Sequence, residues 1–210
     1  DGFDPRARTV ADYVWGGEAA SDPLGPGTGT LMSHAESIAL VRQLGVQMVP
    51  ELKQPVVIMP YDGMSQQQFA QRLIDDYKTA GVPPGAVWPQ SFNVEDVLYW
   101  IERTPYGKQA VYLLDFNATD PVNDIVIQPP YDTMDRMEYF KMLKKRGVRI
   151  IAPPMPALLA VDANSRIVPS KLARDLKALS FDIITWTFER ADLRQGASKA
   201  ARHEAASSAT

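Results

Sequence analysis

The sequence contains no cysteine, which excludes a disulfide framework and a thiolate zinc site. No apolar run reaches the ~18 residues that a membrane-crossing helix needs. Lysine and arginine form no long block, and 22 basic residues against 25 acidic ones leave a net charge of -3, which argues against nucleic acid as a partner. No glycine-rich phosphate loop follows any apolar strand, which counts against the nucleotide-binding α/β folds. The first residues, Asp1-Gly2-Phe3-Asp4-Pro5-Arg6, have neither the charged start nor the apolar stretch of a signal peptide, and they read as a chain entered part-way. What is present is one ordinary domain's worth of chain, 210 residues at 45% hydrophobic, enough to bury a sizeable core.

Residues 1–28 are rich in Gly, Pro, Asp and Thr and read as a connecting segment, with one short amphipathic piece at 9–15. From there strands alternate with helices. Ser33-His34-Ala35-Glu36 has the form of a capping box, opening a helix with Ile38, Val41 and Leu44 as its stripe and Gly45 as its stop. Ser65-Gln66-Gln67-Gln68 is a second box, continued by Phe69, Leu73 and Tyr77 to Gly81. Asn93 caps a third helix with Val97, Leu98 and Ile101 apolar. Residues 134–146 make a fourth, with Met137, Phe140 and Leu143 inward and Lys144-Lys145-Arg146 as a solvated end suited to the helix dipole. Residues 170–179 make a fifth. Short apolar runs at 47–53, 86–92, 109–115, 148–154 and 181–188 are the strands, and 155–169 reads as a long loop. Such alternation means parallel βαβ units. Five strands buried on both faces suit either a doubly wound sheet or most of a (β/α)8 barrel, which needs eight strands and about 250 residues.

The stretch Gln47-Met48-Val49-Pro50-Glu51-Leu52-Lys53-Gln54-Pro55 joins this framework to chemistry. Alternation along a strand places Val49, Glu51 and Lys53 on one face and Pro50 and Leu52 on the other. A carboxylate and an ammonium two residues apart at a strand's carboxyl end suit a divalent cation beside a phosphate; the simpler reading is a surface ion pair, common and weak. Trp88, Tyr99 and Trp100 read as packing residues. Gln90, Ser91 and Asp115 lie at strand carboxyl ends, where barrels keep their sites but where ordinary caps also occur.

With the strands placed, the chain resembles the glycerophosphodiester phosphodiesterases, metal-dependent (β/α)8 barrels. Gly29-Thr30-Leu31 through Glu51-Leu52-Lys53-Gln54-Pro55 is similar to the family's T-L-x-E … E-L-K-x-P block. Trp88-Pro89-Gln90-Ser91-Phe92 resembles its Q-S-F strand, residues 109–115 its Y-L-L strand, Ile150-Ile151-Ala152-Pro153-Pro154 its I-G/A-P strand, and Ile183-Ile184-Thr185-Trp186-Thr187-Phe188 its terminal W-T strand. The resemblance covers residues 29–190, and it implies an incomplete TIM-type barrel holding about five of eight βα units. It further implies hydrolysis of glycerophosphodiesters to an alcohol and glycerol 3-phosphate, with Glu51 a ligand to Mg2+ or Ca2+, Lys53 a phosphate contact and Trp186 an aromatic wall for the glycerol part. A hard divalent ion takes oxygen ligands and polarises phosphorus–oxygen bonds, and a lysine beside it can share the transition-state charge. A periplasmic or secreted location for the complete protein follows from the same resemblance.

The family's His-Arg, Glu-x-Asp and His-Asp blocks have no counterpart in residues 1–50. His34 precedes the Glu51 strand on a helix and is expected at the outer or amino-terminal rim; His203 lies in the small, polar stretch 191–210, expected to be a disordered tail. Since proton transfer at phosphate calls for a positioned acid and base, the chain alone is expected to be a fragment with little activity. A non-catalytic relative that binds a phosphorylated ligand, or an inactive fragment with exposed strand edges, are the alternatives.

Overall fold

The computed structural model describes residues 32–116 and 125–186, which leaves the expected connecting segment, tail and His203 outside the described residues. Helix α1 (His34–Leu44) and helix α2 (Gln66–Thr79) come first. The box predicted at Ser65 forms in full, Ser65 Oγ accepting from Gln68 N at 3.2 Å and Gln68 Oε1 accepting from Ser65 N at 2.8 Å. Strand β1 (Gln90–Ser91) leads into α3 (Val94–Arg103), where Asn93 Oδ1 accepts from Glu95 N at 3.0 Å. Then follow β2 (Val111–Leu113), α4 (Arg136–Lys145) and β3 (Ile150–Ala152). The α4 cap is Asp135, its carboxylate accepting from Met137 N and Glu138 N, one residue later than the predicted start. A ribbon of β4 (Leu159–Val161) and β5 (Ile167–Pro169), helix α5 (Lys171–Ala178) and β6 (Asp182–Ile183) complete the order.

The fold class is α/β, as expected. Strands β1, β2, β3 and β6 form a wholly parallel sheet in that order. Residues 48–52 extend it beyond β1: Met48 and Glu51 bridge Val87 and Gln90 in parallel, and Trp88 N donates to Met48 O at 2.8 Å, Gln90 N to Pro50 O at 2.9 Å and Leu52 N to Gln90 O at 2.9 Å. At the other side a parallel bridge between Pro154 and Trp186 lengthens the β3/β6 pair. The strands are shorter than the apolar runs because Pro50, Pro89 and Pro153 carry no N–H to donate.

The sheet separates two apolar layers. Met48, Leu52, Val87, Tyr112, Leu114 and Ile151 belong to the main core with the helices, which contribute Ile38, Ile74, Trp100, Phe140 and Leu176. The opposite face carries Val111, Leu113, Ile150 and Ala152, with Trp88, Phe92 and Trp186 packed against them. Phe92 follows β1 and Trp186 follows β6, three strands away, yet their rings meet edge-on at 5.7 Å. Strands are spaced at about 4.8 Å and side chains stand roughly perpendicular to a sheet, so that contact requires the sheet to curl toward this face.

Two expectations are corrected. Residues 155–169 are not a loop throughout: β4 and β5 pair antiparallel across a turn in which Asp162 Oδ1 accepts from Asn164 N and Arg166 N. The ribbon leaves Val161 and Ile167 exposed, so it has no polar–apolar alternation by which to be read. The Lys144-Lys145-Arg146 run is not simply solvated either. Lys144 Nζ donates to Ser180 O at 2.7 Å over the Phe181 ring, and Arg146 bonds Glu102 at 2.6 Å and the Tyr131 hydroxyl at 2.7 Å.

Candidate functional site

Glu51 lies where residues 48–52 end against β1, on the face opposite buried Met48 and Leu52. Its side chain is 24% exposed and Lys53 79% exposed, with Lys53 Nζ 2.7 Å from Glu51 Oε1. Lys53 Nζ is thus the ion-pair partner of Glu51 Oε1, which is buried and accepts no hydrogen bond of regular geometry. The Lys53 ammonium offsets part of this oxygen's desolvation cost, and a bound metal ion would compete with it for the carboxylate. Among the described residues no group of three His, Cys, Asp or Glu side chains could enclose a metal ion. Glu51 therefore fits as one oxygen ligand to a hard cation, and the described residues do not supply the remainder of a ligand set.

Trp186 is half-buried on the same face of the sheet, held by Nε1 donating to Ala152 O at 2.8 Å and by ring contacts with Phe92 and Phe116. These contacts hold the ring in one orientation. Gln90 bridges Glu51 through the backbone. Asp115 is exposed, its carboxylate accepting from Phe116 N at 2.9 Å.

Ser91 does not join this group. It is fully buried on the helix side, where its hydroxyl donates to Asp96 Oδ2 at 3.0 Å and accepts from Asn93 N at 3.0 Å. Asp96 also accepts from Gln66 Nε2 at 2.8 Å. Burial pushes the Asp96 carboxyl above its ordinary value; the hydrogen bonds from Gln66 and Ser91 oppose that, and Glu95 adds to it. This knot ties α2, β1 and α3 together directly beneath the Glu51 strand. Nothing local announces it, since an acid in a helix's first turn is already accounted for by the helix dipole.

An open groove of about 620 Å³ runs along residues 47–53 between α1 and α2, with His34 and Asp76 lining it as well as Glu51 and Lys53. His34 Nδ1 is 2.8 Å from Asp76 Oδ2, Nε2 is 3.2 Å from the Tyr77 hydroxyl, and the two rings meet edge-on. Asp76 and Tyr77 occupy the last turns of α2, whose exit leads to the amino end of the next strand. His34 thus sits at the amino-terminal rim with both ring nitrogens engaged, and Glu51 at the carboxyl end. Burial, with Asp76 adding, pushes the Tyr77 phenol up to about 12, so its hydroxyl keeps its proton beside His34.

No family model matches the chain. A protein of Arthroderma benhamiae named "Extracellular protein" is 37% identical to it over 193 residues, which cover 90% of this chain and 75% of that relative. The chain belongs to the family of that extracellular protein. A match of this extent necessarily takes in the strands from Met48 to Trp186, so Glu51, Lys53 and Trp186 all lie within the part shared with the extracellular protein.

Proposed function

We propose that the chain carries the cation- and phosphate-binding side of a phosphodiester hydrolase site, built on part of a (β/α)8 barrel and acting on glycerophosphodiesters. The observation that carries this reading is Glu51 Oε1, a buried carboxylate oxygen at the carboxyl end of a parallel strand, paired at 2.7 Å with the exposed ammonium of Lys53. The curl that brings Phe92 against Trp186 supports the barrel. A parallel sheet keeps its ligands at the carboxyl ends of its strands.

In this reading Glu51 would hold the ion, magnesium or calcium, which when bound neutralises a phosphodiester and polarises its phosphorus–oxygen bonds. Lys53, 79% exposed and ion-paired to Glu51, would turn its ammonium to a non-bridging phosphate oxygen and share the charge that grows in the transition state. Trp186, fixed by Ala152 and Phe92, offers a flat apolar wall to the glycerol part. Neither Glu51 nor Lys53 is placed to be both acid and base, and His34 is engaged by Asp76 and Tyr77, so the chain on its own turns over slowly. An extracellular location is part of the proposal, suggested by the relative's name and tested by recovering the protein from culture medium.

The reaction is tested by following glycerol 3-phosphate release from glycerophosphocholine with Mg2+ or Ca2+. Low but cation-dependent release is expected, falling at least about tenfold in Glu51→Gln, a change that removes one charged ligand. Release that ignores both the cation and Glu51 would refute the site. A second reading, binding of a phosphorylated ligand without hydrolysis, is favoured by the engaged state of His34, and it predicts cation-dependent binding with no release at all.

A further inference from the structure

Ser91 stands between two groups that compete for its one proton. Its hydroxyl accepts from Asn93 N at 3.0 Å and lies 3.0 Å from Asp96 Oδ2 and 3.4 Å from Leu52 O. A serine hydroxyl has one O–H to donate and two lone pairs with which to accept. With Asp96 ionised, the proton goes to the carboxylate, one lone pair serves Asn93 N, and Leu52 O keeps only the long contact. Among the described residues no backbone N–H donates to that oxygen, although Leu52 is buried. Leu52 lies between Glu51 and Lys53, and its own N–H donates to Gln90 O at 2.9 Å.

We propose that Asp96 is a positioning residue for the Glu51–Lys53 strand, acting through Ser91, whose hydroxyl turns from Asp96 to Leu52 O when Asp96 takes up a proton. The exchange balances. A proton from solvent binds Asp96 Oδ2, which then donates to Ser91 Oγ. That oxygen now accepts from both Asp96 and Asn93 N, and its own hydrogen is released toward Leu52 O. No proton leaves Ser91, and each group in the chain gains or keeps a partner. The strand carrying Glu51 and Lys53 is then tied to β1 more firmly than with Asp96 ionised. The groups facing Asp96 from other elements, Gln66 of α2 and Ser91 of β1, are neutral. The charged group acting on it is Glu95 of its own helix, whose carboxylate accepts from the Tyr131 hydroxyl at 2.8 Å. Because burial raises the Asp96 carboxyl above its ordinary value, the exchange falls at a higher pH than the titration of an exposed aspartate. Its consequence for a ligand at Glu51 and Lys53 rests on the function proposed above; the exchange itself does not.

The test is nuclear magnetic resonance of the full chain, following the Asp96 carboxyl carbon and the Leu52 carbonyl carbon as pH is lowered. A carbonyl carbon moves downfield when its oxygen gains a hydrogen bond. In the wild type the Leu52 carbon should move downfield with the same midpoint as Asp96. Asp96→Asn should hold the acid arrangement at every pH. Gln66 Nε2 donates to Oδ1 at 2.8 Å and so keeps the new amide oxygen on its side, leaving the amide nitrogen to donate to Ser91 Oγ. The Leu52 carbon of that variant should already sit at its acid position at neutral pH. Ser91→Ala should abolish the shared step while Asp96 still titrates, and any response of Leu52 to the Glu51 carboxylate persists there. A Leu52 carbon that does not share the Asp96 midpoint in the wild type, or shares it equally in Ser91→Ala, would overturn the proposal. The wild-type titration decides the matter alone should a variant not fold. No ligand is needed, so a failure of the hydrolase reading leaves this result standing.

Discussion

At the scale of the residue, Asp96 and Glu51 show two ways of burying a carboxylate. Asp96 is enclosed and satisfied by neutral donors, with Gln66 and Ser91 on its oxygens; Glu51 keeps an oxygen buried with the Lys53 ammonium as its ion-pair partner. Asp96→Ala should destabilise the protein by about 2–4 kcal/mol in urea denaturation, because it leaves the buried Ser91 hydroxyl and the half-buried Gln66 amide without this acceptor. The pH dependence has a definite sign. The folded-state value of Asp96 is raised above 3.8, so the folded state binds its proton more tightly. The associated stability is fully present below 3.8 and is lost as pH rises through the raised folded value. Asp175 has the opposite sign: burial pushes it up, but Lys171 and Arg136 together hold it below the usual carboxylate value, so its stability is lost as pH falls. Comparing wild type with Asp96→Asn across that acid range isolates the first effect. The difference between them should shift against the wild type as pH rises and then level off, and a flat difference would contradict the assignment.

At the scale of the element, helix caps and strand positions were legible in the residues. Ser65 and Asn93 each cap the helix that follows, as expected, and the placing of Val49 and Lys53 at the surface and Leu52 in the core is the one expected. Ser65→Ala should cost about 1 kcal/mol, as caps of this kind do. What could not be read were contacts without a local signature. The Asp96 knot joins three elements, the His34 cluster pairs residues more than forty apart, and the exposed β4/β5 ribbon carries no buried face to announce it. Gly107 belongs here too. It reads as a turn residue after Pro105, but an added Cβ would collide with the backbone of Trp100 and Ile101. Gly107→Ala should therefore cost several kcal/mol and show as a markedly lower melting temperature, whereas Gly85→Ala, where a Cβ has room, should be mild.

At the scale of the whole molecule, the parallel order of the sheet followed from the spacing of apolar runs, because only βαβ crossovers connect parallel neighbours. Its curl did not, since curvature is set by packing between distant aromatic side chains rather than by any strand's own sequence. That curl brings Phe92 and Trp186 together across the sheet, and the proposed function takes Glu51 and Trp186 as opposite sides of one site. The central claim is that this face binds a divalent cation and a phosphate ester together. Titration calorimetry with glycerol 3-phosphate, with and without Ca2+ or Mg2+, tests it most directly, comparing wild type with Glu51→Gln and Lys53→Met. The account predicts that the wild type binds only when the cation is present, that Glu51→Gln abolishes the cation's effect, and that Lys53→Met weakens binding about tenfold, the loss of one charge-assisted phosphate contact. Binding that is equal with and without the cation, or unchanged by Glu51→Gln, would contradict it.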